Sequence, residues 1–339
     1  MQPAVPFEQF MHDALYGPHG FYTSGHGRAG RRRGDFLTSP EVGPLFGAVV
    51  ARYLDTEWER LERPDPFTFV DAGAGPGTLA RSVLAAAPRC VAALRYVAVE
   101  LSAPQRSRHP SGIESRADLP DDSFTGVIFA NELLDNLPFR LAVYDGAWRE
   151  AYVQPGPDGA MTELLSATFD PVPPVLPAHA AHGARAPLHD AARNWIVDAR
   201  RRLTAGTVVA IDYAVPRTAE LAGRPWREWL RTYREHARGG HYLADPGGQD
   251  ITTEVCVDQL PEPDAVRSQA QWLQLHGITE LVADGKAYWT AHAAHPDLTA
   301  IRMRSRVAEA EALLDPAGLG GFTVLEWRAD GRPAPEPLR

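Results

Sequence analysis

The chain has 339 residues, of which 44% are hydrophobic and 23% charged, and its formal net charge is −9. This composition is typical of a globular protein with a sizeable core, and the negative charge argues against a general nucleic-acid binder. The length exceeds one average domain, which predicts a core domain with a substantial insertion. Two cysteines, Cys90 and Cys256, are too few for a disulfide framework.

The start of the chain lacks the basic and apolar regions of a secretion signal. No uncharged apolar run reaches the length that a membrane span requires. We therefore expect a cytoplasmic protein with no membrane partner.

Residues 1–60 are predicted to form an N-terminal helical segment, broken by a turn-rich stretch over residues 16–40. The end of that stretch carries Asp35, Thr38 and Ser39. The order Ser39, Pro40 and an acid is typical of a helix start, with Ser39 as the N-cap and Pro40 at the first helical position.

A short apolar strand over residues 67–72 is predicted to run into a glycine loop. The loop has the spacing G-x-G-x-G, formed by Gly73, Gly75 and Gly77. A dinucleotide loop requires G-x-G-x-x-G, and Thr78 occupies the place of its third glycine. Asp71 precedes the loop, and its carboxylate would repel a pyrophosphate but attract an ammonium or sulfonium group.

A second strand is predicted to end at Glu100, which follows the last glycine at about the 20-residue interval of an acid that binds ribose hydroxyls. Alternatively, the glycines of the loop only permit a tight turn and bind no ligand. The position of Glu100 weakens this alternative. The two features together predict S-adenosylmethionine (SAM) as the cofactor, because SAM carries both cations. The paired histidines of the chain lack companion ligands, so we expect no metal site.

Predicted strands at 67–72, 95–100, 112–116 and 125–130 alternate with helix-competent segments. This alternation predicts an α/β fold with a Rossmann-like, doubly wound sheet. We expect the SAM-binding core to comprise residues 61–138 and 189–213. A final strand is predicted close to residues 321–327.

The remaining segments are predicted to lie outside that core. Within residues 139–188, a hairpin surrounds the turn at Asp145 and Gly146, and residues 154–188 form a loose surface excursion. Residues 214–330 comprise a substrate-capping insertion, largely irregular over 214–262, followed by helices and the last strand. Residues 331–339 form a disordered tail.

Several motifs along the chain occur in the order found in one family. They lie at residues 7–18, 34–42, 131–138, 148–150, 212–213, 250–252 and 271–273. Over residues 7–280 the chain resembles the MidA-like methyltransferases. The resemblance implies a seven-stranded methyltransferase sheet and a loop over the SAM site that includes Asp35, Thr38 and Ser39. The family includes a complex I assembly factor that methylates a protein arginine, which implies a protein partner such as a respiratory-complex subunit.

The chain departs from the family pattern at five positions. Asp71 replaces the usual glutamate and keeps its charge, whereas Pro76 removes a backbone donor from the loop. Ala214 replaces a glycine, and Glu254 and Cys256 replace two acids of the late motif. The last three changes lie on the predicted substrate side, so the resemblance does not determine which molecule accepts the methyl group.

Carboxylates near the SAM site are candidates for holding and aiming a guanidinium acceptor. The catalytic candidates are Glu132, Asp135 and Asp212, and Asn131 is a candidate for the SAM amino group. Each has a structural alternative. Glu132 is also suited to a helix N-terminus, Asp135 to the same helix as a cap, and Asp212 to anchoring a loop.

Three functions remain compatible with the sequence. The first is methylation of a protein arginine, and the second is methylation of a small molecule, because the fold does not fix the acceptor. The third is a non-catalytic assembly factor that binds SAM. The glycine spacing disfavours a dinucleotide oxidoreductase.

Overall fold

The computed structural model describes residues 3–24, 38–157, 159–234 and 237–329. Its helices are α1 Phe7–Tyr16, α2 Ser39–Val42, α3 Pro44–Arg60, α4 Thr78–Ala86, α5 Ala103–Arg106, α6 Asp190–Arg201, α7 Thr218–Ala222, α8 Gln269–Leu275, α9 Ile278–His292 and α10 Leu298–Leu314. Across these four ranges, no helix combines the length and the apolar character that crossing a membrane requires.

A seven-stranded sheet forms the centre of the molecule, as predicted. Its strands are β1 Phe67–Ala72, β2 Leu94–Val99, β3 Glu114–Arg116, β4 Phe124–Asn131, β5 Leu203–Asp212, β6 Ala265–Ser268 and β7 Thr323–Ala329. They lie in the order β6-β7-β5-β4-β1-β2-β3. Strands β1 to β5 run parallel to one another, whereas β7 is antiparallel to β5 and β6.

Both faces of this sheet are covered by helices, which is why its central strands are continuously apolar. On one face, α3, α8 and α10 enclose a core that includes Phe46, Phe129 and Trp272. On the other face, Ile196 of α6 packs with residues such as Trp327. The Rossmann-like fold predicted from the alternating pattern is confirmed. Since β1 to β4 are parallel, their carboxyl ends meet at one edge.

A second, five-stranded antiparallel sheet contains the predicted hairpin. Its strands are Val5–Pro6, Arg140–Tyr144, Trp148–Pro155, Met161–Thr168 and Arg185–Leu188. The prediction of a loose excursion over residues 154–188 was therefore wrong for the strands Met161–Thr168 and Arg185–Leu188, whereas residues 169–184 contain no helix or strand. Met161–Thr168 is an edge strand that has no fully buried residue, so its sequence lacks the alternation that marks a half-buried strand.

Residues 214–262 also contain more regular structure than predicted. The strand Asp250–Thr253 pairs with Leu230–Arg234, which pairs in turn with Ala237–Arg238. Sequence reasoning missed these strands because each is short and flanked by glycine and charged residues. This pairing brings the late motif of residues 250–252 against the short turn Leu134–Asn136 that follows β4, where Asn136 donates to the carboxylate of Asp250 (3.0 Å).

Candidate functional site

A cavity of about 470 Å³ opens at the carboxyl ends of β1 to β4. The loops that follow the four strands line it, together with parts of the N-terminal segment and of α6. Its acidic lining residues are Glu41, Asp71, Glu100, Asp118, Glu132 and Asp198. This excess of carboxyl groups favours a ligand that carries positive charge.

The glycine loop after β1 forms the floor of the cavity. Gly73, Gly75 and Gly77 all have positive φ (74°, 52° and 79°), a region that other residues enter at a cost. A side chain at Gly75 would meet nothing within 4 Å, so the loop presents bare backbone to open space. The backbone N–H of Gly75 donates to Glu100 Oε2 (3.0 Å).

Glu100 lies between the loop and the start of α5. Its second oxygen, Oε1, accepts from the backbone N–H of Ser102 (2.8 Å), and its side chain lines the cavity. One carboxylate therefore shapes the glycine loop and also faces the ligand space. Its contact with ribose hydroxyls stays a prediction.

Asp71 is 3% exposed and lies beneath the loop. It lines the cavity and accepts a hydrogen bond from the hydroxyl of Tyr96 at Oδ2 (2.8 Å). Burial raises the pKa of Asp71 to about 7, although the Tyr96 hydroxyl opposes this shift. A cation in the cavity would favour the ionised form of Asp71.

Glu132 faces the cavity from the end of β4. Its φ is +54°, a left-handed conformation that is uncommon for a non-glycine residue and typical of functional sites. Asn131 Nδ2 donates to Glu132 Oε1 (2.9 Å), and the backbone N–H of Ser39 also donates to Glu132. Burial is the main cause that raises the pKa of Glu132 to about 8, and Asp135 adds to the shift.

The segment after Glu132 is one turn of 3₁₀ helix, Leu134–Asn136, and not the longer helix that would place Glu132 and Asp135 on one face. Asp212 holds this turn in place. Its Oδ2 accepts from the backbone N–H groups of Leu134 (2.9 Å) and Asp135 (3.2 Å). Asp212 is 1% exposed and is absent from the cavity wall. In the structure, Asp212 therefore anchors the loop after β4, which is the structural role that the sequence analysis gave as the alternative to catalysis.

Asp135 and Asp250 lie directly behind the cavity wall. Thr252 donates to Asp135 Oδ2, while Asp135 Oδ1 is buried without a hydrogen-bond partner among the described residues. Burial is the largest cause that raises the pKa of Asp135 to about 6 and that of Asp250 to about 7. The guanidinium groups of Arg224 and Arg231 form ion pairs with Glu254 (2.8 and 2.7 Å) and not with Asp135 or Asp250.

Two tyrosines of the N-terminal segment complete this side of the cavity. The rings of Tyr16 and Tyr22 stack with centroids 5.6 Å apart. Tyr22 lies within hydrogen-bond distance of Asp250 Oδ1 (3.0 Å), and Tyr16 donates to the carbonyl of Asn136 (3.1 Å). The sequence analysis proposed no role for these tyrosines, Asn136 or Asp250. Their contacts join residues more than 100 positions apart, and no local sequence pattern indicates such contacts.

The loop before α2 contributes less than predicted. Thr38 lines the cavity and is the N-cap of α2, so the prediction of Ser39 as N-cap was wrong by one residue. The Ser39 hydroxyl donates to Gln269 Oε1 (2.9 Å), away from the cavity. Asp35 lies outside the described residues.

Asp118 is a further lining residue that the sequence analysis did not single out. It follows β3, so the rule that ligands bind at the carboxyl ends of parallel strands would have indicated it. Asn131 supplies another polar atom, since its Oδ1 is buried without a partner among the described residues. In those residues, no group of three or more acidic, histidine or cysteine side chains is arranged to hold a metal ion.

Comparison with known families identifies the ligand class. A family model for S-adenosyl-L-methionine-dependent methyltransferases, Methyltransf_28, matches residues 49–279, more than half of the chain. The chain belongs to this methyltransferase family.

Solved structures agree with that assignment. The methyltransferase superposes with a TM-score of 0.78 on a COG1565 superfamily member from Burkholderia thailandensis bound to S-adenosyl-homocysteine. The two are 26% identical, and the match covers 97% of this chain and 88% of the other. A second, native crystal structure from the same organism gives a TM-score of 0.77 at 25% identity.

Among curated proteins, the methyltransferase is 25% identical over 290 residues to the mitochondrial "Protein arginine methyltransferase NDUFAF7 homolog" of Drosophila melanogaster. The match covers 74% of this chain but 64% of the relative, so the chain spans less than two thirds of that protein. The human counterpart is 30% identical over 80 residues, or 24% of this chain and 18% of the human protein.

The cofactor of the methyltransferase is SAM, and the cavity residues fit it. The open space over Gly75 leaves room for the ligand, and the unpartnered Asn131 Oδ1 offers a polar contact. Asp71 and Glu100 suit a ligand with two cationic groups. When bound, SAM supplies a methyl group activated by its sulfonium. The protein supplies orientation and electrostatics.

Replacing Gly75 by alanine is expected to weaken SAM binding about tenfold, because the new methyl group enters the ligand space. The left-handed backbone should also cost about 1 kcal/mol of stability. Gly112→Ala is the matched control, since Gly112 has φ +87°, meets nothing within 4 Å and lies off the cavity wall. Calorimetric titration with SAM should show weakening for the first variant alone, whereas urea unfolding should show similar destabilisation for both.

Proposed function

We propose that this methyltransferase transfers the methyl group of SAM to a guanidinium nitrogen of an arginine in a partner protein. The observation that carries the proposal is the acidic wall beside the cavity, formed by Glu132 with Asp135 and Asp250 behind it. A planar guanidinium pairs well with carboxylates through several N–H donors. The name of the Drosophila relative as a protein arginine methyltransferase supports the same acceptor.

The chemistry of such an acceptor requires a base, because the methylated nitrogen must lose a proton. The acceptor nitrogen forms a bond to the methyl carbon, the carbon–sulfur bond breaks, and its electron pair stays on sulfur. In this proposal, the carboxylate of Glu132 takes the proton. A guanidinium beside it lowers its pKa from about 8, so the carboxylate is ionised when the acceptor is bound.

Tritium transfer tests this proposal. The purified protein is incubated with S-adenosyl-[methyl-³H]methionine and an extract of cells that lack it, and labelled proteins are hydrolysed and separated. Label in methylated arginine is the expected result. Label confined to small solutes would replace the proposal with small-molecule methylation. No transfer by protein that binds SAM would indicate a non-catalytic assembly factor.

A further inference from the structure

The peptide between Gly75 and Pro76 has a single hydrogen-bonding group, because proline brings no N–H. That group, the carbonyl of Gly75, lies 2.9 Å from His109 Nε2. On the other side of the same residue, the backbone N–H of Gly75 donates to Glu100 Oε2 (3.0 Å). The middle glycine of the loop is therefore held from both sides by side chains.

The contacts of His109 define the protonation of its ring. A carbonyl only accepts, so Nε2 carries the hydrogen, and Nδ1 of the neutral ring is left to accept from the hydroxyl of Ser115 (2.8 Å). Burial and the nearby Arg81 and Arg106 lower the pKa of His109. The neutral ring thus satisfies both of its nitrogens.

The ring of His109 also packs beside the last glycine of the loop. A Cβ built on Gly77 would lie 3.2 Å from His109 Cδ2. His109 itself is absent from the cavity wall. It contacts the loop from outside and leaves the face over Gly75 open to the ligand.

We propose that His109 is a positioning residue for the SAM site, which fixes the Gly75 carbonyl and so holds the glycine loop in its binding conformation. The need for such a residue follows from the loop itself. Two glycines with positive φ flank Pro76, and glycine has more freedom to leave a conformation than other residues. The inference concerns the cofactor and is independent of the acceptor, so a failed tritium transfer would leave it standing.

Calorimetric titration with SAM tests the role of the hydrogen bond. His109→Leu removes the donor and is expected to raise the Kd for SAM about tenfold. His109→Gln keeps an N–H close to the position of Nε2 and is expected to remain within about threefold of the unchanged protein. Ser115→Ala, which removes the other partner of the ring and leaves the bond to Gly75, should have the smaller effect.

Urea unfolding of the same variants separates positioning from general stability. His109→Leu with normal stability and normal SAM affinity would overturn the proposal. Equal loss of affinity in the leucine and glutamine variants would also overturn it, because packing of the ring would then be the cause. If the leucine variant does not fold, His109→Asn, whose amide is too short to reach the carbonyl, takes its place in the comparison.

Discussion

Replacing Glu132 by glutamine is expected to lower the rate of methyl transfer by about 100- to 1,000-fold while SAM still binds. This loss corresponds to about 3 to 4 kcal/mol in the activation barrier. Glutamine keeps the size of the side chain and an oxygen that can accept from Asn131 Nδ2 (2.9 Å in the structure). In the proposed reaction, it removes the charge that would hold a guanidinium and the group that would take the proton.

Glu62→Gln is the matched control for this experiment. Glu62 is an exposed glutamate that shares the left-handed backbone of Glu132, with φ values of 63° and 54°. The same substitution there should leave the rate of tritium transfer unchanged. A Glu132→Gln variant that retains more than about a tenth of the activity would remove Glu132 from the reaction.

Stability is expected to fall as the pH rises from 5 to 8, and Asp250→Asn should abolish about 2 kcal/mol of that fall. Burial raises the pKa of Asp250 from an ordinary value of 3.8 to about 7. The folded chain therefore binds this proton more tightly than the unfolded chain. The resulting stabilisation is fully present below about pH 4 and is lost as the pH rises through about 7.

Urea unfolding at pH 5, 6, 7 and 8 measures this effect. Asparagine retains the Oδ1 acceptor that Tyr22, Asn136 and the Ile251 N–H approach, so the variant should match the unchanged protein only below about pH 4. Its advantage in stability should grow by about 2 kcal/mol between pH 5 and pH 8. Asp258→Asn provides a control, because Asp258 lies in a separate network with Thr218. Parallel pH profiles for the unchanged protein and Asp250→Asn would contradict the expectation.

The sequence was most informative where function depends on residues that are close in the chain. Asp71 and the glycine loop lie at the end of β1, and Glu100 and Glu132 follow its two neighbours in the sheet, β2 and β4. Parallel strands bring these ends together. The pattern of strands and helices predicted the sheet that orders them. The loop geometry at these positions needs no long-range information, because positive φ at glycine is a local property.

The side of the cavity formed by the N-terminal tyrosines and the late motif could not be predicted in the same way. Asp250, Asn136 and the two N-terminal tyrosines meet through contacts between short strands and irregular segments, which leave no periodic pattern. Asp135 and Asp212 illustrate a related limit. Both are buried carboxylates near the site, yet the hydrogen bonds to Asp212 show that it anchors the turn of residues 134–136.

The contacts of the glycine loop and those of the N-terminal tyrosines join residues at very different separations along the chain. This difference has a consequence for folding. The bond between Gly75 and Glu100 closes 25 residues, whereas the contact between Tyr22 and Asp250 spans 228. Closing the longer loop costs more chain entropy, and such contacts tend to form later. Partial opening of the N-terminal segment would therefore yield a species that keeps the bond between Gly75 and Glu100 but has lost the contact between Tyr22 and Asp250. Hydrogen exchange should detect that species as early labelling of residues 16–22.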